Sequence, residues 1–210
     1  MNMFGSNIKT DSEVNKDRIS SIPGLSYYNN FLTRDEEEYL LDYLSNIEYS
    51  NVFGRATKYY GYNYSHKKKY SDSNDLISNI PKTLNIILNK LDINYNQLVI
   101  EKLPVNKQYS FPIHSKIFCN NIITINIGSD CVAEFVNKLT GEKQNILIKG
   151  RSLMVISDDC RKEWSYVINN NKTHTFNDKK IKRKDRYNLT FKNIKFFNKA
   201  DEDDTYYFSY

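Results

Sequence analysis

Cysteine is scarce in this 210-residue sequence, which contains only Cys119, Cys131 and Cys160. The number is odd and no two cysteines are separated by two residues. The sequence therefore excludes a disulfide framework and a cysteine-based zinc site. We expect all three to be buried as small apolar side chains. A reducing compartment follows from this, and we predict an intracellular protein, cytoplasmic or nuclear.

Long apolar segments are also absent. No run reaches the roughly 18 apolar residues that a membrane helix needs, and the first 20 residues contain no apolar segment of a secretory signal. We therefore expect no membrane contact. Because 40% of the residues are hydrophobic and 26% are charged, the chain can build a core, and its length suits one domain with tails.

Negative charge is low except near the C-terminus. The net charge is +5, and the run Asp201–Asp204 contributes −4, so residues 1–200 carry +9. This balance permits a polyanion such as nucleic acid as a partner. Alanine is nearly absent, and lysine outnumbers arginine 23 to 7, which we interpret as the coding bias of an AT-rich genome.

Hydrophobic periodicity divides the chain into a helical part and a β-rich part. Residues 34–47 are predicted to form an amphipathic helix, because Thr33 and Glu36 fit a capping box and apolar residues then recur at helical spacing. A second helix is predicted to open at Pro81. From about residue 98, short β-branched runs separated by turn residues predict an all-β sandwich or barrel. These runs are Leu98–Leu103, Ile122–Ile127, Val132–Val136, Ile146–Ile148, Leu153–Ile156, Trp164–Ile168 and Tyr187–Ile194.

The two ends of the chain differ from this pattern. Residues 1–20 are polar and aperiodic and are predicted to be a flexible arm, so the domain is assigned to residues 21–197. Residues 198–210 form an acidic and aromatic tail. Its tyrosines and its phenylalanine are costly to leave in water. Docking on a protein partner or on the domain itself is therefore one interpretation of the tail, and a solvated tail is the other.

An ordered set of short motifs suggests a family. The set comprises Pro23-Gly24-Leu25, Arg55 followed by Tyr60-Gly61-Tyr62-x-Tyr64, Pro112-Ile113-His114, Arg161-x-x-Trp164, and Arg186-Tyr187-Asn188-Leu189-Thr190-Phe191-Lys192. Over residues 22–195 the chain resembles the AlkB family of iron(II)/2-oxoglutarate dioxygenases. The resemblance implies an α+β fold, a double-stranded β-helix (jelly roll) preceded by two N-terminal helices and by a β-rich nucleotide-recognition lid at about residues 51–72.

The metal site that the resemblance implies is degenerate in this sequence. The family uses a His-x-Asp pair and a distant histidine, a facial triad that leaves open positions for 2-oxoglutarate and oxygen. His114 matches the first ligand, but Lys116 stands at the carboxylate and Tyr166 at the second histidine. A lysine ammonium repels a divalent ion and has no free lone pair. We therefore expect no metal site and no catalytic residues, and we expect Lys116 to pair with Glu101 or Tyr166.

The 2-oxoglutarate pocket that the resemblance implies is partly retained. Glu101 and Leu103 stand where the family supplies an asparagine and a tyrosine. Arg186 matches the arginine that clamps the distal carboxylate, and Asn188 also matches. Lys192 replaces a second arginine and loses its bidentate fork. One interpretation of Arg186, Asn188 and Lys192 is a remnant anion pocket. For Arg186 and Lys192 the other is a strand-end cation paired with Glu101 or with a carboxylate of the tail.

Basic and aromatic residues predict contacts with nucleic acid. Tyr60, Tyr62 and Tyr64 fall on one face if their segment is a regular strand, and such rings can stack on bases. Lysines and arginines beside them can contact phosphates. The predicted contact residues are Arg55, Tyr60, Tyr62, Tyr64, Lys67, Lys68, Lys69, Lys182 and Arg183. Ordinary hairpin packing and solvated lysines are the alternative interpretation.

The sequence therefore predicts a catalytically inactive AlkB-like domain that binds RNA or DNA, or serves as a scaffold in a larger complex, without a cofactor. One alternative is an active dioxygenase with iron(II) and 2-oxoglutarate that removes alkyl groups from nucleic acid or protein. Another is a protein-interaction subunit without nucleic-acid contact. Metal content distinguishes the active dioxygenase from the other two hypotheses. Salt-dependent binding to RNA or DNA distinguishes the inactive nucleic-acid-binding domain from the protein-interaction subunit.

Overall fold

The computed structural model describes residues 21–62, 76–91, 95–112 and 118–194. The predicted arm and tail lie outside these ranges. So do His114 and Lys116 of the degenerate triad, and Tyr64 and Lys67–Lys69 of the predicted lid. No helix in the described ranges is long and apolar enough to cross a membrane.

The described residues form three α-helices, one 3-10 turn and fourteen strands. The helices are α1 (Arg34–Asn46), α2 (Asn85–Leu91), which follows the 3-10 turn Lys82–Leu84, and α3 (Asp158–Glu163). The strands are β1 (Leu25–Tyr28), β2 (Ser50–Val52), β3 (Arg55–Tyr62), β4 (Leu76–Ser78), β5 (Gln97–Leu103), β6 (Tyr109–Phe111), β7 (Ile122–Gly128), β8 (Cys131–Asn137), β9 (Lys143–Ile148), β10 (Ser152–Ile156), β11 (Trp164–Ile168), β12 (Thr173–Phe176), β13 (Lys179–Lys182) and β14 (Arg186–Lys192).

Two antiparallel sheets build the body of the protein. The larger has the strand order β1-β10-β7-β14-β5-β3-β2, with β4 paired to β3, and the smaller has the order β6-β11-β8-β9. Strands β12 and β13 form a separate hairpin. In the larger sheet, β14 runs between β5 and β7, so that Asn188 lies opposite Glu101 on one side and Asn126 on the other.

The two faces of the larger sheet are covered by different layers. One face packs against α1 and α2, where Leu40, Leu44 and Ile87 meet strand residues such as Leu189. The other face packs against the smaller sheet through a second apolar cluster that contains Phe135 and Trp164 among its members. Because side chains alternate along a strand, β10 contributes Leu153 and Val155 to the first cluster and Met154 and Ile156 to the second.

The helices follow from local signals in the sequence. Thr33 accepts a hydrogen bond from the Glu36 amide at 3.2 Å, and Glu36 accepts one from the Thr33 amide at 2.8 Å, which is the predicted capping box. The helix predicted at 34–47 is observed as α1. Pro81 opens the 3-10 turn that precedes α2, rather than α2 itself.

Six of the seven predicted β-runs correspond to observed strands within two residues at each end. Strand β9 begins three residues earlier than predicted, at Lys143, because its polar start pairs with β8 although it has no apolar pattern. The sequence did not predict the short helix α3 or the hairpin β12–β13. Both are short and polar, so hydrophobic periodicity gives no signal for them.

Candidate functional site

A strip of polar side chains crosses the face of the larger sheet that points toward the smaller one. In β14, Leu189 and Phe191 belong to the helix-side core, so the alternate residues face the space between the sheets. These alternate residues are Arg186, Asn188, Thr190 and Lys192. Thr190 lies opposite Thr124, and their hydroxyl groups are 3.3 Å apart. The interior of this sandwich is therefore polar along its central strand.

Arg186 begins the polar strip and is 1% exposed. Its Nη2 donates to Asn126 Oδ1 at 2.7 Å, and its Nη1 contacts the Cys131 thiol and the Ile148 carbonyl. No carboxylate in the described part of the chain forms an ion pair with it. Arg186 is therefore a buried cation held by neutral groups.

Lys192 lies at the opposite end of β14 from Arg186. Six residue steps along a strand separate their Cα atoms by about 20 Å. The Lys192 ammonium lies 4.7 Å from the centre of the Phe118 ring, and burial lowers the pKa of Lys192 to about 8, against the opposing effect of Glu101. Asn188 stands between them, and its Oδ1 is buried without a partner. The three residues of the predicted anion pocket share one face but do not converge on one ligand position.

Tyr166 lies inside an aromatic stack between the sheets. Its ring centre is 4.4 Å from that of Phe111 and 4.7 Å from that of Phe135, with interplanar angles of 15° and 20°. The stack arises because Tyr166 of β11 lies opposite Phe111 of β6 and Phe135 of β8. Burial, and then the charge of Glu101, raise the pKa of Tyr166 above its ordinary value. Both faces of the phenol ring are covered, so it is a core side chain.

Glu101 pairs with Arg55. Arg55 Nη1 lies 2.8 Å from Glu101 Oε1, its Nη2 donates to the Ser110 carbonyl, and its guanidinium lies 5.0 Å from the Phe111 ring centre. We predicted Arg55 as a phosphate contact and Glu101 as a partner of Lys116, Arg186 or Lys192. Instead, Arg55 at the start of β3 forms an ion pair with Glu101 of the adjacent strand β5.

His174 cannot replace a missing metal ligand. Its Nδ1 accepts a hydrogen bond from the Val132 amide at 2.7 Å, which leaves the proton on Nε2, 2.9 Å from Asn169 Oδ1. Burial, and then Arg183, lower the pKa of His174 to about 4. Both ring nitrogens therefore serve the structure. No group of three or more His, Cys, Asp or Glu residues in the described ranges is arranged to hold a metal ion.

Comparison with known proteins indicates the family to which the chain is related. No family model matches the chain. It is 29% identical over 188 residues to uncharacterized protein L905 of Acanthamoeba polyphaga mimivirus, an alignment that covers 84% of this chain and 88% of that protein. It is 23% identical over 206 residues to the alkylated DNA repair protein ALKBH8 homolog of Arabidopsis thaliana, which covers 84% of this chain and 58% of that protein.

A further relative is the DNA N6-methyl adenine demethylase of Caenorhabditis elegans, 27% identical over 170 residues that cover 74% of this chain and 57% of that protein. The chain is AlkB-like. It spans less than two thirds of the length of the plant and nematode relatives.

Solved structures support the fold of this AlkB-like chain. OsALKBH1 superposes with a TM-score of 0.56 at 11% identity, over 83% of this chain and 98% of that one. An oxidoreductase of the 2OG-Fe(II) oxygenase family from Burkholderia pseudomallei superposes with a TM-score of 0.50 at 11% identity, over 80% and 83%. The two antiparallel sheets are therefore those of the 2OG oxygenase jelly roll.

Two tyrosines that we predicted to share one face of a strand, Tyr60 and Tyr62, pack against different clusters. Tyr60 is buried against the helices, and its hydroxyl lies 3.1 Å from that of Tyr43. Tyr62 packs on the other side, against the cluster that contains Phe118. A register shift between Gly61 and Tyr62 breaks the strict alternation of β3. The expectation that Tyr60 and Tyr62 share one face was wrong for this reason, and Tyr60 has no exposed ring face for a base.

The second basic cluster divides between surface and interior. Lys182 is exposed, as expected for a phosphate contact. Arg183 is 4% exposed, and its Nη1 donates to the carbonyls of Asn169 and Asn171. The assignment of Arg183 to a nucleic-acid surface was therefore wrong, because its side chain turns inward and holds the 169–171 turn.

Phe53 was not predicted and is the most exposed large apolar side chain of the described residues, at 93%. It occupies the two-residue turn between β2 and β3 with Gly54, and both have positive φ angles, 49° and 77°. Lys107 Nζ donates to the Gly54 carbonyl at 3.2 Å. A Phe-Gly turn between two short strands was the available sequence signal, but a turn of this kind usually starts with Asn, Asp or Gly.

Proposed function

We propose that this AlkB-like chain binds nucleic acid and does not catalyse iron-dependent oxidation. The observation that carries the proposal is the aromatic stack around Tyr166. The family resemblance assigns the second metal-binding histidine to this position, where a phenol now lies with both ring faces covered. The sequence places Lys116 at the metal carboxylate. A protonated phenol and an ammonium do not fit iron(II).

The residues also fit 2-oxoglutarate poorly. Arg186 supplies one cation of the family's pocket, but its Nη groups already bond to Asn126, Cys131 and Ile148. Glu101 stands where the family has a neutral amide, and its negative charge would repel a dicarboxylate, although Arg55 offsets part of that charge. The polar strip is therefore proposed not to bind 2-oxoglutarate.

The proposed contact surface lies on the β2–β3 turn. The exposed ring of Phe53 can stack on an unpaired base, and the Lys107 ammonium beside Gly54 can contact a phosphate. Lys182 supplies a further exposed cation. Two relatives are named as an alkylated DNA repair protein and a DNA demethylase, that is, as proteins that act on nucleic acid, which supports this class of partner.

Fluorescence anisotropy with labelled single-stranded RNA, single-stranded DNA and duplex DNA tests this surface. Phe53→Ala should weaken binding about 5-fold to 100-fold, since one stacked base contributes about 1–3 kcal/mol. Lys107→Gln should lower the slope of log K against log salt by roughly 0.7–0.9. Leu139→Ala is the matched control, because Leu139 is also an exposed apolar residue of a β-turn. Equal loss in both alanine variants, or no binding at low salt, contradicts the proposal and favours the protein-interaction alternative.

Metal analysis tests the loss of oxidation separately. Protein purified without chelator and reloaded anaerobically with iron(II) should retain far less than one iron per chain. The double variant Lys116→Asp and Tyr166→His should retain more, because it restores a carboxylate and an imidazole. Stoichiometric iron in the unaltered protein would support the active-dioxygenase alternative.

A further inference from the structure

Two buried arginines lie close together in the sequence, where the loop after β13 enters β14. Arg183 is 4% exposed and Arg186 is 1% exposed. Arg183 Nη1 lies 3.3 Å from His174 Nε2, His174 Nδ1 accepts from the Val132 amide, and Arg186 Nη1 contacts the thiol of the adjacent Cys131. The two guanidinium groups therefore belong to one cluster, at the end of the sandwich where β8 and β14 begin.

Part of each guanidinium has no partner. Arg183 uses Nη1 for two turn carbonyls, but its Nε and Nη2 are buried without a hydrogen bond. Arg186 uses Nη1 and Nη2, but its Nε is likewise buried without a partner. These three nitrogens carry four N–H groups. Leaving buried charged donors unpaired costs free energy, so such donors normally have a ligand, an ion or water.

No carboxylate of the described residues forms an ion pair with either arginine. The two nearby carboxylates bind backbone amides instead, Asp130 that of Gly150 at 2.8 Å and Asp185 that of Val105 at 3.1 Å. The imidazole of His174 is neutral in the tautomer described above. Burial raises the pKa of the Cys131 thiol, so the thiol remains protonated.

We propose that Arg183 and Arg186 together bind a small doubly charged oxyanion of the phosphate class. Two guanidinium charges match a dianion, and four unpaired N–H donors match three or four equivalent oxygens better than the two oxygens of one carboxylate. The family resemblance implies a carboxylate contact for Arg186 alone, and Arg183 is the additional element. The proposal goes beyond nucleic-acid binding, because the cluster is buried whereas Phe53 is exposed.

Binding would also stabilise the hairpin β12–β13. Arg183 Nη1 holds the carbonyls of Asn169 and Asn171, and His174 joins the hairpin to β8 through the Val132 amide. An anion that fixes the Arg183 guanidinium would fix these contacts with it. Hydrogen exchange of residues 169–183 should therefore slow when the ion binds, whereas exchange in α1 should not change.

Thermal unfolding of the full chain at constant ionic strength tests the proposal, with inorganic phosphate as the probe and chloride as the reference. A ligand at a hundredfold excess over its Kd should raise the Tm by about 5–10 °C for a chain of this size. Phosphate also stabilises proteins without binding, so the variants decide. Arg183→Gln should lose the shift, and Arg183→Lys should retain a smaller one. Lys180→Gln, an equal charge change on the exposed face of β13, should keep the full shift.

Two further measurements make each outcome decisive. Succinate and 2-oxoglutarate at the same concentration should raise the Tm less than phosphate, and a larger shift with either would overturn the assignment to a phosphate-class ion. Native mass spectrometry of the unaltered protein should show an added phosphate mass. An equal Tm shift in Arg183→Gln and in the unaltered protein overturns the proposal. If Arg183→Gln does not fold, the comparison of phosphate with succinate in the unaltered protein decides.

Discussion

Tyr166 stabilises the core between the two sheets by packing. Its ring fills the space between Phe111 and Phe135, so its main contribution is packing. Tyr166→Ala should lower the free energy of unfolding by about 3–5 kcal/mol through loss of a buried aromatic ring, whereas Tyr166→Phe should cost about 1 kcal/mol or less. Urea denaturation measures both. A small loss for the alanine variant would show that the stack does not support the core.

His174 should make the protein sensitive to acid. Its pKa is lowered to about 4 in the folded state, whereas an unfolded histidine has a pKa of about 6.5. Between these values the unfolded state binds more protons, so stability falls as pH falls from 6.5 to 4, by up to about 3 kcal/mol. Urea denaturation across this range should show a shallower fall for His174→Asn, which keeps an acceptor for the Val132 amide. Parallel curves for the two proteins would contradict the assignment.

Lys192 should change the stability of the folded protein at alkaline pH. Because burial lowers its pKa to about 8 in the folded state, the unfolded chain binds more protons between about pH 8 and 10.4. Stability should therefore rise with pH in this window. Lys192→Met should remove the rise and be about 1–2 kcal/mol more stable than the unaltered protein at pH 7, since no charge is then buried. An unchanged alkaline profile would show that the ammonium is well solvated.

At the scale of elements, the bulge in β3 determines which side chains the strand presents. Gly61 has a φ of +80°, and a Cβ there would lie 2.0 Å from the Asn96 carbonyl oxygen. Gly61→Ala should therefore cost more than about 3 kcal/mol, and Tyr62 should leave the Phe118 cluster. Gly141→Ala is the matched control, because its φ is +76° with no atom within 4 Å, so only the conformational cost of about 1–2 kcal/mol remains. Thermal unfolding of both variants measures the difference, and equal losses would show that the close approach is not limiting.

Sequence reasoning located the elements better than it located their irregularities. The capping box at Thr33 is a local signal for the start of a helix, and the apolar β-branched composition of the runs indicates buried strands. Both could therefore be predicted from the sequence. The bulge at Gly61 depends on the approach of Asn96, which lies in the bend before β5. No local pattern encodes that approach, and a strict period of two placed Tyr60 on the wrong face.

At the scale of the whole molecule, the order of motifs predicted the family and the fold, while side-chain partners depended on tertiary contacts. The residue types of the polar strip could be read from β14. Their partners could not, because Arg55 reaches Glu101 from 46 positions away in the sequence. The inward turn of Arg183 likewise depends on the carbonyls of the 169–171 turn. The exposure of Phe53 was not predicted from the sequence, because it results from the position of Phe53 in the β2–β3 turn.

The place of β14 in the larger sheet has a consequence for how the chain folds. This strand is the last of the fourteen, yet it lies between β5 and β7 and pairs with both along most of its length. During synthesis the larger sheet therefore cannot be completed until residue 192 has left the ribosome. Until then it is divided into two parts, and the strand edges that β14 later pairs with are unpaired. Such edges invite pairing with other chains, and pairing between segments so distant in sequence is slow. A chain interrupted before Arg186 should accumulate as aggregates rather than as a smaller folded domain.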